Sequence, residues 1–165
     1  MNRMLTAILV ILIVLGSITT ACQSEAPQLG KPAPDFQLNT LDGQPISLSD
    51  LKGKPVLINF WQIRCPPCRM EMPYLQQIYD ERQAKGLVLL AINIGERPSQ
   101  VAEFMQGQGL SFPVLLDSQG EIAEKYGIRG IPTTFFIDRD GIIQDIRIGA
   151  FQSKAEIESS LSKLK

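Results

Sequence analysis

The chain has 165 residues, with 16 Lys and Arg against 17 Asp and Glu, a net charge of −1 and no histidine. That length suits one domain with a core of its own, and the interspersed charge offers nothing to nucleic acid or other polyanions. The lack of histidine excludes Ser-His and Cys-His nucleophilic catalysis in their usual forms, and removes the commonest metal ligand.

In chain order, Asn2 and Arg3 give a short basic start, and Met4 to Ile18 is almost wholly apolar. This run falls short of the roughly 20 residues of a transmembrane helix and fits the apolar core of a secretory signal, predicted over residues 1–21. Cys22 follows the small residue Ala21, a pattern that resembles the bacterial lipoprotein box, although Thr19 stands where that box usually has an aliphatic residue. Two readings are open: Cys22 is lipidated and becomes the mature N-terminus, or it is a spare thiol in an uncleaved signal anchor. Both place the domain outside the cytoplasm and tethered, on the outer face of the cytoplasmic membrane. Residues 22–34, polar and proline-bearing, read as the lipid anchor and tether, and residues 35–165 as the domain.

Asp35 to Asn39 alternates like an edge strand, Asp42-Gly43 is a turn signal, and Pro45 to Leu48 answers as the second strand of a hairpin. Ser49 to Gly53 reads as one capped turn of helix. The apolar run Pro55 to Phe60 is a strand, and Arg69 to Lys85 a helix that Pro73 should kink and Gly86 end. Leu87 to Ile94 reads as a central strand covered on both faces. Ser99 to Gln108 is a short amphipathic helix, Phe112 to Leu116 a strand, and Ile122 to Tyr126 a short helix. Thr133 to Ile137 and Ile142 to Ile148 form a hairpin about Asp138-Arg139-Asp140-Gly141, and Ser153 caps a last helix reaching Leu164.

Cys65-Pro66-Pro67-Cys68 lies between the first of these longer strands and its helix. A helix N-terminus carries unpaired N–H groups and partial positive charge, which favour a thiolate. Zinc needs about four ligands, and this chain has three cysteines and no histidine. A bridge across so short a loop adds little stability. The pair therefore reads as a redox dithiol, with Cys65 at the helix start as the nucleophile and Cys68 as the resolving thiol.

The order of elements predicts an α/β domain, a mixed central sheet flanked by helices, with an extra N-terminal β-hairpin. With the dithiol opening the first long helix and Gly130-Ile131-Pro132-Thr133 directly before a strand, the domain resembles the thioredoxin fold. That resemblance implies a cis Pro132 beside the dithiol and an Ile131 backbone free to pair with an extended substrate. Taken alone, Pro132 reads better as a strand-initiating proline. Asn59-Phe60-Trp61, Cys65-Pro66-Pro67-Cys68, Glu71-Met72-Pro73, Asn93-Ile94-Gly95-Glu96, Phe112-Pro113-Val114 and Pro132-Thr133-Thr134-Phe135 together resemble the ResA/TlpA group of membrane-tethered, extracytoplasmic thiol-disulfide oxidoreductases.

The group usually has Trp before the first cysteine, and here Arg64 stands there, adding a positive charge beside the nucleophile. The resemblance implies that Glu71 and Glu96 tune the cysteines and help to recognise substrate; the alternatives are a solvated helix face and a loop acid. Trp61, Arg64, Ile131 and Pro132 complete the expected substrate-binding and tuning set. No cofactor or metal is expected. Implied partners are disulfide-bearing exported proteins, foremost the haem-binding cysteines of apocytochrome c, and a membrane thiol-transfer reductant of the CcdA/DsbD type. A non-catalytic thioredoxin-like binding or chaperone lipoprotein is a second reading. A peroxidase of the alkyl-hydroperoxide type is a third, suggested by the Ala33-Pro34-Asp35-Phe36 opening, but its Pro-x-x-x-Thr-x-x-Cys motif is absent.

Overall fold

The computed structural model describes residues 26–164; the predicted signal and Cys22 lie outside them. Seven strands and four α-helices alternate. In chain order they are β1 Gln37–Thr40, β2 Pro45–Ser47, β3 Val56–Trp61, α1 Pro66–Arg82, β4 Val88–Ile94, α2 Pro98–Gly107, β5 Val114–Asp117, α3 Glu121–Lys125, β6 Thr133–Ile137, β7 Ile143–Ile148 and α4 Lys154–Leu161. They form one sheet in the order β2-β1-β5-β4-β3-β6-β7. β3 is parallel to β4 and β4 to β5, while β6, β7, β1 and β2 join antiparallel.

Every residue of β3 is buried, as expected of a central strand covered on both faces. Leu57 and Trp61 face one way, into a core with Met72, Leu75 and Ile78 of α1, Val101 and Met105 of α2 and Ile157 of α4. Val56, Ile58 and Phe60 face the other, packing with Ala123 of α3, Tyr126 and Phe135. The two-residue period of the strand thus delivers alternate side chains to two cores, and Asn59 shares the face of Leu57 and Trp61.

Three local expectations are revised. The turn predicted at Ser49 is a 3₁₀ turn over Leu48–Leu51, without a side-chain cap of its own; Asp35 Oδ1 accepts the Ser49 N–H at 2.9 Å instead. α1 starts at Pro66 rather than Arg69, with both prolines in its first turn, where a missing N–H does least harm. It continues through Pro73, and Gly86 ends the segment at φ 92°.

The third concerns the tether. From Gly30 on it is bonded to the outer edge of β7 and the turn before it. Gly30 N–H donates to Ile143 O at 2.8 Å, Ile143 N–H to Lys31 O at 3.0 Å, and Ala33 N–H to Gly141 O at 2.9 Å. Tyr126 Oη donates to Pro34 O at 2.7 Å. The segment covers an edge that would otherwise expose unpaired backbone groups.

Candidate active site

The parallel strands β3 and β4 end together, with Trp61 opposite Asn93, and the β3–α1 loop crosses above them. Two side-chain bridges hold it there. Gln62 Nε2 donates to Ile94 O at 2.9 Å, and Glu96 Oε2 accepts from both Ile63 N–H and Asn93 Nδ2 at 2.8 Å. Glu96 is therefore half-buried and bonded to the loop that leads into Cys65, rather than a free loop acid.

Cys65 is the N-cap of α1, and its Sγ accepts the Cys68 N–H at 3.1 Å. Pro66 and Pro67 have no N–H to offer, so that one donor faces the sulfur. Cys65 retains 8% exposure and Cys68 none, and the two form a disulfide. Only the Cys65 side of the bond meets solvent. The Ile131–Pro132 peptide is cis, and Ile131 O lies 3.7 Å from Cys65 Sγ. The backbone at Ile131 and the Cys65 sulfur thus share one face. Arg64 is exposed beside Cys65 and lines a groove of about 360 Å³ with Ile63, Phe104 and Glu103.

Glu71 follows Cys68 by three residues on α1, and it is fully buried. It is not on the solvated helix face that its spacing alone allows. Asn59 Nδ2 donates to Glu71 Oε1 at 2.8 Å, and the Phe151 N–H to Oε2 at 2.9 Å. Burial pushes the Glu71 carboxyl up to about 7, against the pull of these two donors and of the Arg147 charge. Neither of its bonds goes to a sulfur; any effect on the dithiol passes through space and along α1.

Trp61 departs from expectation. It is completely buried and packs on Phe104, ring centroids 5.4 Å apart, so it supports the loop from below and does not meet a substrate. Asn59, Asn93, Thr134 and Phe151 were not anticipated. Asn59 Nδ2 donates also to Thr134 Oγ1 at 2.9 Å, linking α1, β3 and β6 through one amide. The signal was there to find: Asn59 and Asn93 are lone amides inside apolar strand runs, and a buried amide needs partners.

A family model described as the AhpC/TSA family matches residues 29–146. The thiol-disulfide oxidoreductase ResA of Bacillus thuringiensis subsp. konkukian is 37% identical over 170 aligned positions, 99% of this chain and 97% of that protein. The thioredoxin-like protein YneN of Bacillus subtilis is 42% identical over 81% of this chain and 79% of its own length. A crystal structure of a thioredoxin-family thiol:disulfide interchange protein from Chlorobium tepidum superposes with a TM-score of 0.72 at 34% identity, over 83% of this chain and 97% of that one. The sheet order, the dithiol at the head of α1 and this likeness over almost the whole length agree: the chain belongs to the AhpC/TSA family, has the thioredoxin fold, and is a thiol-disulfide oxidoreductase of the ResA type.

Proposed function

We propose that the protein is an extracytoplasmic, membrane-anchored reductant of disulfides in exported proteins, with the haem-binding cysteines of apocytochrome c as its foremost substrates. The observation that carries this reading is the asymmetry of the pair: a partly exposed Cys65 beside the Ile131 backbone, over a buried Cys68 one turn from a buried carboxyl. Glu96 serves by holding the loop that presents Cys65, and Arg64 by adding charge at the surface a partner meets.

In the reduced protein the Cys65 thiolate attacks one sulfur of the substrate disulfide. That bond breaks, the departing sulfur leaves as a thiolate that takes up a proton, and a mixed disulfide forms. Cys68, after losing its proton, attacks Cys65 Sγ; the second substrate sulfur is released and the Cys65–Cys68 disulfide remains. Two electrons pass to the substrate. A membrane dithiol of the CcdA/DsbD type returns them.

The surroundings of the sulfur support this direction. A reducing site keeps its thiols relatively basic, because stabilising the thiolate makes the disulfide more oxidising. Two prolines withhold N–H donors from Cys65, and a carboxyl ionising near 7 opposes a second negative charge nearby. Exposed Arg64 acts the other way, weakened by solvent. Redox titration against glutathione should give a potential nearer to thioredoxin's roughly −270 mV than to DsbA's roughly −120 mV. A value close to DsbA's makes the protein an oxidant and removes the cytochrome reading. Capture on a Cys68→Ser variant, followed by identification of the trapped protein, tests the substrate.

A further inference from the structure

Residues Gly30–Ala33 pair antiparallel with the first residue of β7 and the turn before it, with Pro32 bridged to Ile142. Ala33 pairs at Gly141 and Gly30 at Ile143, a turn follows in which Lys31 N–H donates to Gln28 O at 3.2 Å, and the neighbours of Ala26 and Pro27 give the place of the chain before that turn. Ile148 pairs with Thr133, and Thr133 with Phe60; this is the end of the sheet where Cys65 and Pro132 lie. Ala26 and Pro27 line one groove with Gly130, Thr133 and Ile148, and a Cβ on Gly127 would meet the Ala26 Cβ at 3.5 Å. Ala26, the first described residue, therefore lies at the redox end of the domain.

From Cys22 to Ala26 is four residues, which reach at most about 14 Å when fully extended. β3, which feeds the dithiol loop, lies two strands in from β7, or roughly 10 Å. We propose that Ala26–Pro34 is an orienting strap that turns the Cys65–Ile131 face towards the membrane, within reach of the membrane dithiol already invoked as reductant. The proposal rests on the anchoring reading above. Were the strap only a cover for the sheet edge, the end of the sheet at which Ala26 lies would be immaterial. A tether leaving from Ile143 would instead have held the site on the far side of the domain, about 5 strand residues or roughly 17 Å further out.

Trp61 is the single tryptophan and sits beneath the dithiol loop, so it reports the distance of the redox end from a bilayer. The full chain, bound to phosphatidylethanolamine–phosphatidylglycerol vesicles carrying dansyl-labelled lipid, should transfer Trp61 emission efficiently to the dansyl groups. Inserting a flexible Gly-Ser spacer of about 12 residues between Glu25 and Ala26, which adds roughly 20 Å of reach, should cut that transfer by about half or more. It should leave insulin reduction in detergent unchanged. Equal transfer in both forms, or weak transfer in the native chain, overturns the orientation and leaves the anchoring reading standing. Failure of the native chain to float with the vesicles overturns the anchoring reading, and the orientation with it.

Discussion

Phe151 donates its backbone N–H to Glu71 Oε2 at 2.9 Å across 80 residues of sequence, tying the β7–α4 loop to the helix that carries the dithiol. With Asn59 on the other oxygen, the carboxyl is held inside the core by two donors. Desolvation still prevails, and the group ionises near neutrality rather than in acid.

This makes stability depend on pH through one side chain. Folding raises the Glu71 carboxyl from 4.5 to about 7, so the native state holds a proton that the unfolded chain has lost. The resulting stabilisation is complete below about 4.5 and disappears as pH rises through 7. In Glu71→Gln it is absent. Urea unfolding of both oxidised proteins should show wild type losing on the order of 3 kcal/mol relative to the variant between those limits. A difference independent of pH would show that the carboxyl titrates normally.

The same charge should reach Cys65 once Glu71 is ionised. In Glu71→Gln the thiol should titrate lower. In Arg64→Ala it should titrate higher, and by less than the Glu71 change, because an exposed charge is screened. The pH profile of iodoacetamide labelling of the reduced protein measures both, and Cys65 should be the residue labelled first. Predominant labelling of Cys68 would reverse the assignment of nucleophile and resolving thiol.

Glu96→Ala removes the acceptor shared by Ile63 N–H and Asn93 Nδ2. Asn93 is buried, and its Oδ1 already lacks a partner, so the amide then has no protein partner at all. The variant should lose about 1–3 kcal/mol on denaturant unfolding. It should also reduce insulin disulfides more slowly, because the loop before Cys65 loses one of its two bridges. Glu96→Gln, which keeps an acceptor oxygen, should restore much of both.

Cys22 should carry lipid as the mature N-terminal residue, which intact-mass measurement of protein extracted from membranes decides. A free Cys22 or a retained Met1 removes the lipoprotein reading and leaves the redox chemistry untouched.

Much of this protein is written in local pattern. Alternation and apolar run length placed all seven strands to within a few residues, since side-chain period and chain stiffness are properties of neighbours. The dithiol was legible because a strand, two cysteines three apart and a helix are contiguous, whereas the cis Pro132 was legible only through the resemblance that the dithiol brings with it, since a proline before a strand reads locally as a strand start. What only the tertiary structure decided are relationships between distant backbone groups, which leave no period in a sequence. Glu71 at three residues from Cys68 suits a solvated face as well as a buried one; Asn59 and the Phe151 N–H, reached through the sheet, make burial tolerable. Trp61, beside the site in sequence, points beneath it because β3 alternates, and Gly30–Ala33, within a polar stretch read as tether, is held on the sheet edge by main-chain pairing at the start of β7, a bond that any residue but proline can donate.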